Sequence, residues 1–217
     1  LYQDLSVEEN LDFFAGVFGG HIKDNYEMIK DIYSQIEPFK KRKAGKLSGG
    51  MKQKLALSCA LIHKPSILIL DEPTTGVDAV SRHEFWNMLK KLKESGITII
   101  VSTPYMDEAG LCDRVALIQK GNIMKINTPE NIIREFGQKL YAVRTDSIYH
   151  LIRDLRKMPE TRTAFPYGQY VHLTLKEQGD IKQIQEQLNA KSYQETEIKE
   201  ITPNIEDCFM ELMLTTQ

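Results

Sequence analysis

The sequence predicts an α/β domain built on a short parallel sheet, followed by a small α+β domain. Two observations carry this. Between residues 66 and 102, two short apolar runs (66–70 and 97–102) flank an amphipathic helix over 79–95, the strand–helix–strand order of a parallel sheet. After Gly137, strands and helices follow in the order βαββαβ and a helix closes the chain.

The first third reads as helical. Leu11, Phe14, Ala15 and Phe18 recur at helical spacing over 7–18, Ser6 and Glu9 form a capping box, and Gly19-Gly20 end the helix. A second helix is expected over about 24–37, and the basic run 40–43 reads as a solvated loop. A helix over 51–63 stops at Lys64-Pro65. The run 66–70 has the continuous apolar character of a strand buried on both faces. Helix 79–95 turns Phe85, Leu89 and Leu92 inward, strand 97–102 follows, and a short helix lies near 106–112. Residues 115–119 and 123–127 form a hairpin turning at Lys120-Gly121-Asn122, and Thr128-Pro129 start a helix that ends before Gly137. Beyond it come a strand at 140–145, a helix at 147–157, strands near 161–165 and 170–175 around a turn at 165–168, a helix at 180–190, a strand near 193–201 and a helix at 204–214. That order describes a small sandwich of ferredoxin-like type.

Composition narrows the class. Apolar residues are 41% and charged residues 27% of the chain, as in a globular protein. A net charge of -2 gives no bulk attraction to nucleic acid. No apolar run approaches the roughly 18 residues of a membrane span, and the start of the chain does not read as a leader. Cys59, Cys112 and Cys208 are scattered and odd in number, which reads as buried thiols in a reducing compartment.

Two segments carry chemistry. In Leu47-Ser48-Gly49-Gly50-Met51-Lys52-Gln53, a serine and two glycines open a helix, so that unpaired N–H groups and the helix dipole can face an anion. In Ile67-Leu68-Ile69-Leu70-Asp71-Glu72-Pro73, two carboxylates end an apolar strand, the edge at which open α/β sheets bind ligands. Asp71 suits the water shell of Mg²⁺, and Glu72 suits the activation of an attacking water. Thr74-Thr75-Gly76-Val77-Asp78 follows at once.

This ordered combination resembles the ATP-binding cassette (ABC) family over residues 1–137. The segment 47–53 resembles the signature motif, 67–72 the Walker B strand, and the stretch ending in Asp78 the D-loop. The resemblance implies a partial P-loop NTPase domain, with a helical subdomain over about 4–62 and a sheet part over about 63–137. It also implies ATP and Mg²⁺ as ligands and a head-to-tail pair of ATPase domains. Ser48, Gly49, Gly50 and Gln53 would then serve the ATP of the partner. Asp71, through water and Mg²⁺, and catalytic Glu72 would serve the ATP of their own subunit, and Asp78 would cross the interface. Residues 138–217 resemble the C-terminal domain of ATPase subunits of ABC-2-type exporters of the daunorubicin-resistance-like group, with 202–209 as its closing element. A membrane permease is the implied partner, nucleic acid is not, and the implied location is the cytoplasmic face of the membrane. The helical region, with Phe13, Phe14, Val17 and Phe18, would receive the permease.

The sequence departs from the family in two places. No G-x-x-x-x-G-K-S/T occurs in the 217 residues, so the resemblance puts the P-loop in a portion upstream of them. Relatives commonly read S-T-H-Y-M-D-E-A where this chain has Pro104 between Thr103 and Tyr105, and a proline cannot donate to a phosphate. That substitution implies slow hydrolysis or a site in which Glu72 suffices. Two other readings stand beside the exporter: a soluble, non-transport ABC ATPase and a non-catalytic interaction fragment. The first would carry coiled-coil insertions or basic arms, which do not occur here.

Overall fold

The computed structural model describes residues 1–191, 193 and 195–215. The chain divides into two compact units, Leu1–Tyr105 and Met106–Gln217.

The first unit starts with helix α1 (Val7–Val17), closed at its front by the expected Ser6–Glu9 capping box. The Ser6 N–H, donating to Glu9, holds that carboxyl below its ordinary range. Asn10 is fully buried in α1 because its amide ties down the incoming chain: Oδ1 accepts from the Tyr2 N–H (2.9 Å) and Nδ2 donates to the Tyr2 carbonyl (3.0 Å). Helix α2 (Tyr26–Tyr33) is shorter than expected, and Pro38 sits in a separate 3₁₀ turn, Glu37–Phe39, whose ring geometry no α-helix interior accepts. The basic run 40–43 is exposed.

Helix α3 (Gly49–Leu61) begins two residues before the apolar pattern signals it. Strand β1 (Ile67–Asp71) leads through a loop to helix α4 (Ala79–Glu94) and strand β2 (Thr98–Ser102). β1 and β2 pair in parallel, from Ile67 opposite Thr98 to Asp71 opposite Ser102. Phe85, Leu89 and Leu92 of α4 are buried as expected. Leu68, Leu70, Ile99 and Val101 face a core shared with α1–α4.

The other face of this sheet corrects the sequence reading. Ile67, Ile69 and Ile100 are 56%, 72% and 54% exposed, so β1 is covered on one face only. The apolar run marks a strand suited to burial on both sides, but the described residues provide one layer of cover.

The second unit holds helix α5 (Met106–Ala109), the antiparallel pair β3 (Val115–Gln119) and β4 (Asn122–Asn127), and helix α6 (Pro129–Arg134). Lys120 and Gly121 turn the hairpin with φ of 50° and 78°, and Thr128 caps α6. Strands β5 (Leu140–Arg144), β6 (Thr161–Tyr167), β7 (Tyr170–Leu175) and β8 (Glu197–Ile201) form one antiparallel sheet in the order β6-β7-β5-β8. Helices α7 (Ile148–Leu155) and α8 (Ile181–Asn189) cross between strands, which completes the ferredoxin-like order. β6 runs through Pro166, which the sequence reading put in a turn; an edge strand tolerates a proline because one row of its N–H groups needs no partner. The strand expected near 193–201 includes residue 194, which lies outside the described residues.

Helix α9 (Ile205–Thr215) packs Ile205 and Cys208 with Val115, Leu117, Ile132 and Phe136. This shared core puts the hairpin and α6 in the second compact unit, whereas the family resemblance ends at 137. The front of α9 is fixed twice. Asn204 and Asp207 exchange backbone–side-chain hydrogen bonds of 2.9 and 3.0 Å, and Asp207 Oδ1 lies 2.6 Å from Nδ1 of the buried His172 on β7. Burial pushes the thiols of Cys59 and Cys208 up, to about 12 and about 11. No helix among the described residues is long and apolar enough to cross a membrane.

Candidate nucleotide site

The parallel register sets the first half of the site. It ends with Asp71 opposite Ser102, so both side chains stand at the carboxyl edge of the sheet. Ser102 Oγ donates to Asp71 Oδ1 at 2.5 Å and accepts from the Glu72 N–H at 3.0 Å. The same N–H also reaches the Ser102 carbonyl oxygen at 3.1 Å. Glu72 leaves the ladder in the left-handed region, with φ of 42°, where a side-chain-bearing residue is strained unless its surroundings fix it. Thr75 Oγ1 donates to Glu72 Oε2 at 3.1 Å. Both carboxylates are exposed.

The second half is the start of α3. Ser48 is exposed and caps the helix by accepting from the Met51 N–H at 3.3 Å. The two glycines are needed for different contacts. A Cβ on Gly49 would stand 3.3 Å from the carbonyl oxygen of Gly76, and a Cβ on Gly50 would stand 2.8 Å from Ser81 Oγ and 3.0 Å from Ser81 Cβ. The helix start therefore lies directly on segment 76–81. That segment is itself anchored: Asp78 caps α4 by accepting from the Ser81 N–H at 3.0 Å, which lowers the Asp78 pKa. Gly76 turns with φ of 75°. Lys54 of α3 and Glu84 of α4 form an ion pair of 2.8 Å alongside.

The predicted site residues thus fall into two clusters: Ser48, Gly49 and Gly50 with Asp78, and Asp71 with Glu72. Gln53 lies one turn further along α3, and its side-chain oxygen is buried with no hydrogen-bond partner among the described residues. Pro104 is exposed just beyond β2, where the Tyr105 N–H donates to Thr103 Oγ1 at 3.1 Å and the Tyr105 ring packs 4.0 Å from the Arg82 guanidinium. The sequence reading missed Ser81 and Ser102. Ser102 was recoverable from strand register, because two strands of equal length that start together place residue 71 beside residue 102.

The family model described as ABC transporter matches residues 1–75. The Nod factor export ATP-binding protein I of Rhizobium sp. (strain N33) is 32% identical over 220 residues, covering 98% of this chain and 69% of that protein. The chain belongs to the ABC transporter ATP-binding family. The probable multidrug ABC transporter ATP-binding protein YbhF of Escherichia coli (strain K12) is 35% identical over 98% of this chain, and the chain spans 37% of that protein's length. Among solved structures, the fold is similar to an ATP-binding cassette in a dimeric, post-hydrolysis state bound to ADP and Pi, with a TM-score of 0.52 and 25% identity over 59% of this chain and 58% of that one. As a member of this family, the chain has the mixed α/β architecture of the P-loop NTPases.

Proposed function

We propose that this chain is the larger part of an ATP-hydrolysing subunit that powers an ABC-2-type exporter from the cytoplasmic face of the membrane. In this reading two ATPase domains pair head to tail. Glu72 takes the proton of the attacking water at its own subunit's ATP, while Ser48, Gly49 and Gly50 close over the ATP of the mate. The observation that carries the reading is the Asp71–Glu72 pair at the carboxyl edge of β1, fixed by the end of β2.

Asp71 fits a hard cation: it is an exposed oxygen donor at the sheet edge, and Mg²⁺ commonly binds through one or two carboxylates, its own waters and substrate phosphates. Bound there, Mg²⁺ would supply charge neutralisation for the phosphate oxygens. The similarity to an ADP- and Pi-bound dimeric cassette supports both the nucleotide and the pairing. The names of the relatives, multidrug and Nod factor export proteins, support the exporter. The exposed side chains of Phe13, Val17 and Phe18 on and just after α1 support a permease contact on the helical region. The second unit would regulate or stabilise the pair.

The phosphate cradle, in this reading, comes from chain outside these 217 residues and packs over Ile67, Ile69 and Ile100. The chain alone is therefore expected to bind ATP only weakly, in the millimolar range by calorimetry. An ATP dissociation constant in the micromolar range for the chain alone would contradict the reading.

A further inference from the structure

We infer that Ser102 is a positioning residue whose hydroxyl sets both carboxylates of the hydrolytic pair, fixing Asp71 for Mg²⁺ and Glu72 for water. The inference rests on the reading of Asp71 and Glu72 given above and assigns a role to a third side chain. One oxygen atom does two things. Its proton goes to Asp71 Oδ1 (2.5 Å) and its lone pair takes the Glu72 N–H (3.0 Å). The first bond holds one oxygen of Asp71 by a charge-assisted contact, which fixes the direction in which the other can face a cation. The second, with the Ser102 carbonyl (3.1 Å), grips the Glu72 N–H from two sides as the chain turns to φ of 42°. A left-handed residue with a long side chain needs such support, and its φ decides where the carboxylate points.

Alanine at 102 removes both hydroxyl contacts and leaves the backbone bond from Glu72 to the Ser102 carbonyl. Ser102 is exposed at the end of its strand, so folding should survive. Threonine keeps the hydroxyl and suits a strand.

The test uses the intact subunit with two readouts. One is retention of Mn²⁺ beside a non-hydrolysable ATP analogue, measured by electron paramagnetic resonance. The other is steady-state turnover against Mg²⁺ concentration. S102A is expected to weaken Mn²⁺ retention about tenfold and lower kcat about tenfold, the effect of one charge-assisted hydrogen bond. Its melting temperature and its metal-free affinity for the analogue should stay those of the parent, and S102T should lie within about twofold of the parent on both readouts. Parent-like Mn²⁺ retention and kcat in S102A, alongside an inactive E72Q, would overturn the role of Ser102 and leave the carboxylate pair standing. Equal loss in S102A and S102T would also overturn it, because the hydroxyl would then not be the cause. Full turnover in both D71N and E72Q would overturn the reading of the pair and this inference with it.

Discussion

Glu72→Gln in the intact subunit is expected to lower ATP turnover by about 10²–10⁴-fold, the usual contribution of a general base, while nucleotide binding persists. The variant isolates proton acceptance. Glutamine has the shape of glutamate, keeps an oxygen to accept from Thr75 Oγ1, and leaves the backbone grip of Ser102 on residue 72 unchanged. The left-handed turn at 72 therefore remains, and only the basic carboxylate is lost. Single-turnover hydrolysis beside equilibrium binding of ATP separates the two effects. Turnover within about twofold of the parent would show that another group takes the proton. Pro104 sharpens the expectation, because a proline just beyond β2 offers no side-chain donor or base to compensate.

Gly50→Ala is expected to destabilise the first unit by about 1–3 kcal/mol, the range for overpacking a tight contact. The added Cβ would stand 2.8 Å from Ser81 Oγ and 3.0 Å from Ser81 Cβ, closer than side-chain carbons come. Part of the strain would pass into the Gly76–Asp78 turn and displace the start of α3, so turnover should fall with stability. The contact also supplies its own control. Ser81→Gly removes the obstructing atoms yet keeps the Ser81-position N–H that donates to Asp78. The double variant G50A/S81G should recover more than about 1 kcal/mol relative to the sum of the single changes in a denaturant-based cycle. Additive single effects would mean that Gly50 does not bear on Ser81.

Both predictions depend on contacts that a linear reading reaches unevenly. Signals within one turn of helix or one hairpin were legible. Ser6–Glu9, Thr128-Pro129, the inward face of α4 and the Lys120-Gly121 turn lie where local chemistry places them. The ferredoxin-like order was legible because each element has its own periodicity. The start of α3 was legible from Ser48 and the two glycines that open it, although its apolar pattern begins only at Met51; the packing of Gly49 and Gly50 was not, because it depends on segment 76–81, about 30 positions away. Ser102 was legible as a partner of Asp71 only through the register of two parallel strands joined through α4, which a motif search along the chain does not use. The apolar run of β1 reports the burial a strand is suited to, and among the described residues Ile67 and Ile69 remain more than half exposed.

The central claim is that each hydrolytic site is completed by the mate's α3 start, and mixed dimers test it most directly. Ser48→Arg would block the α3 start and Glu72→Gln would disable the base. In a head-to-tail pair, placing the two changes on opposite protomers puts both lesions in one site and leaves the other whole. Placing both on one protomer spoils both sites. The account predicts that the first arrangement retains about half the parental turnover, or less if the sites cooperate, and that the second falls to the level of the Glu72→Gln homodimer. Equal turnover in the two arrangements, or more in the second, would contradict it.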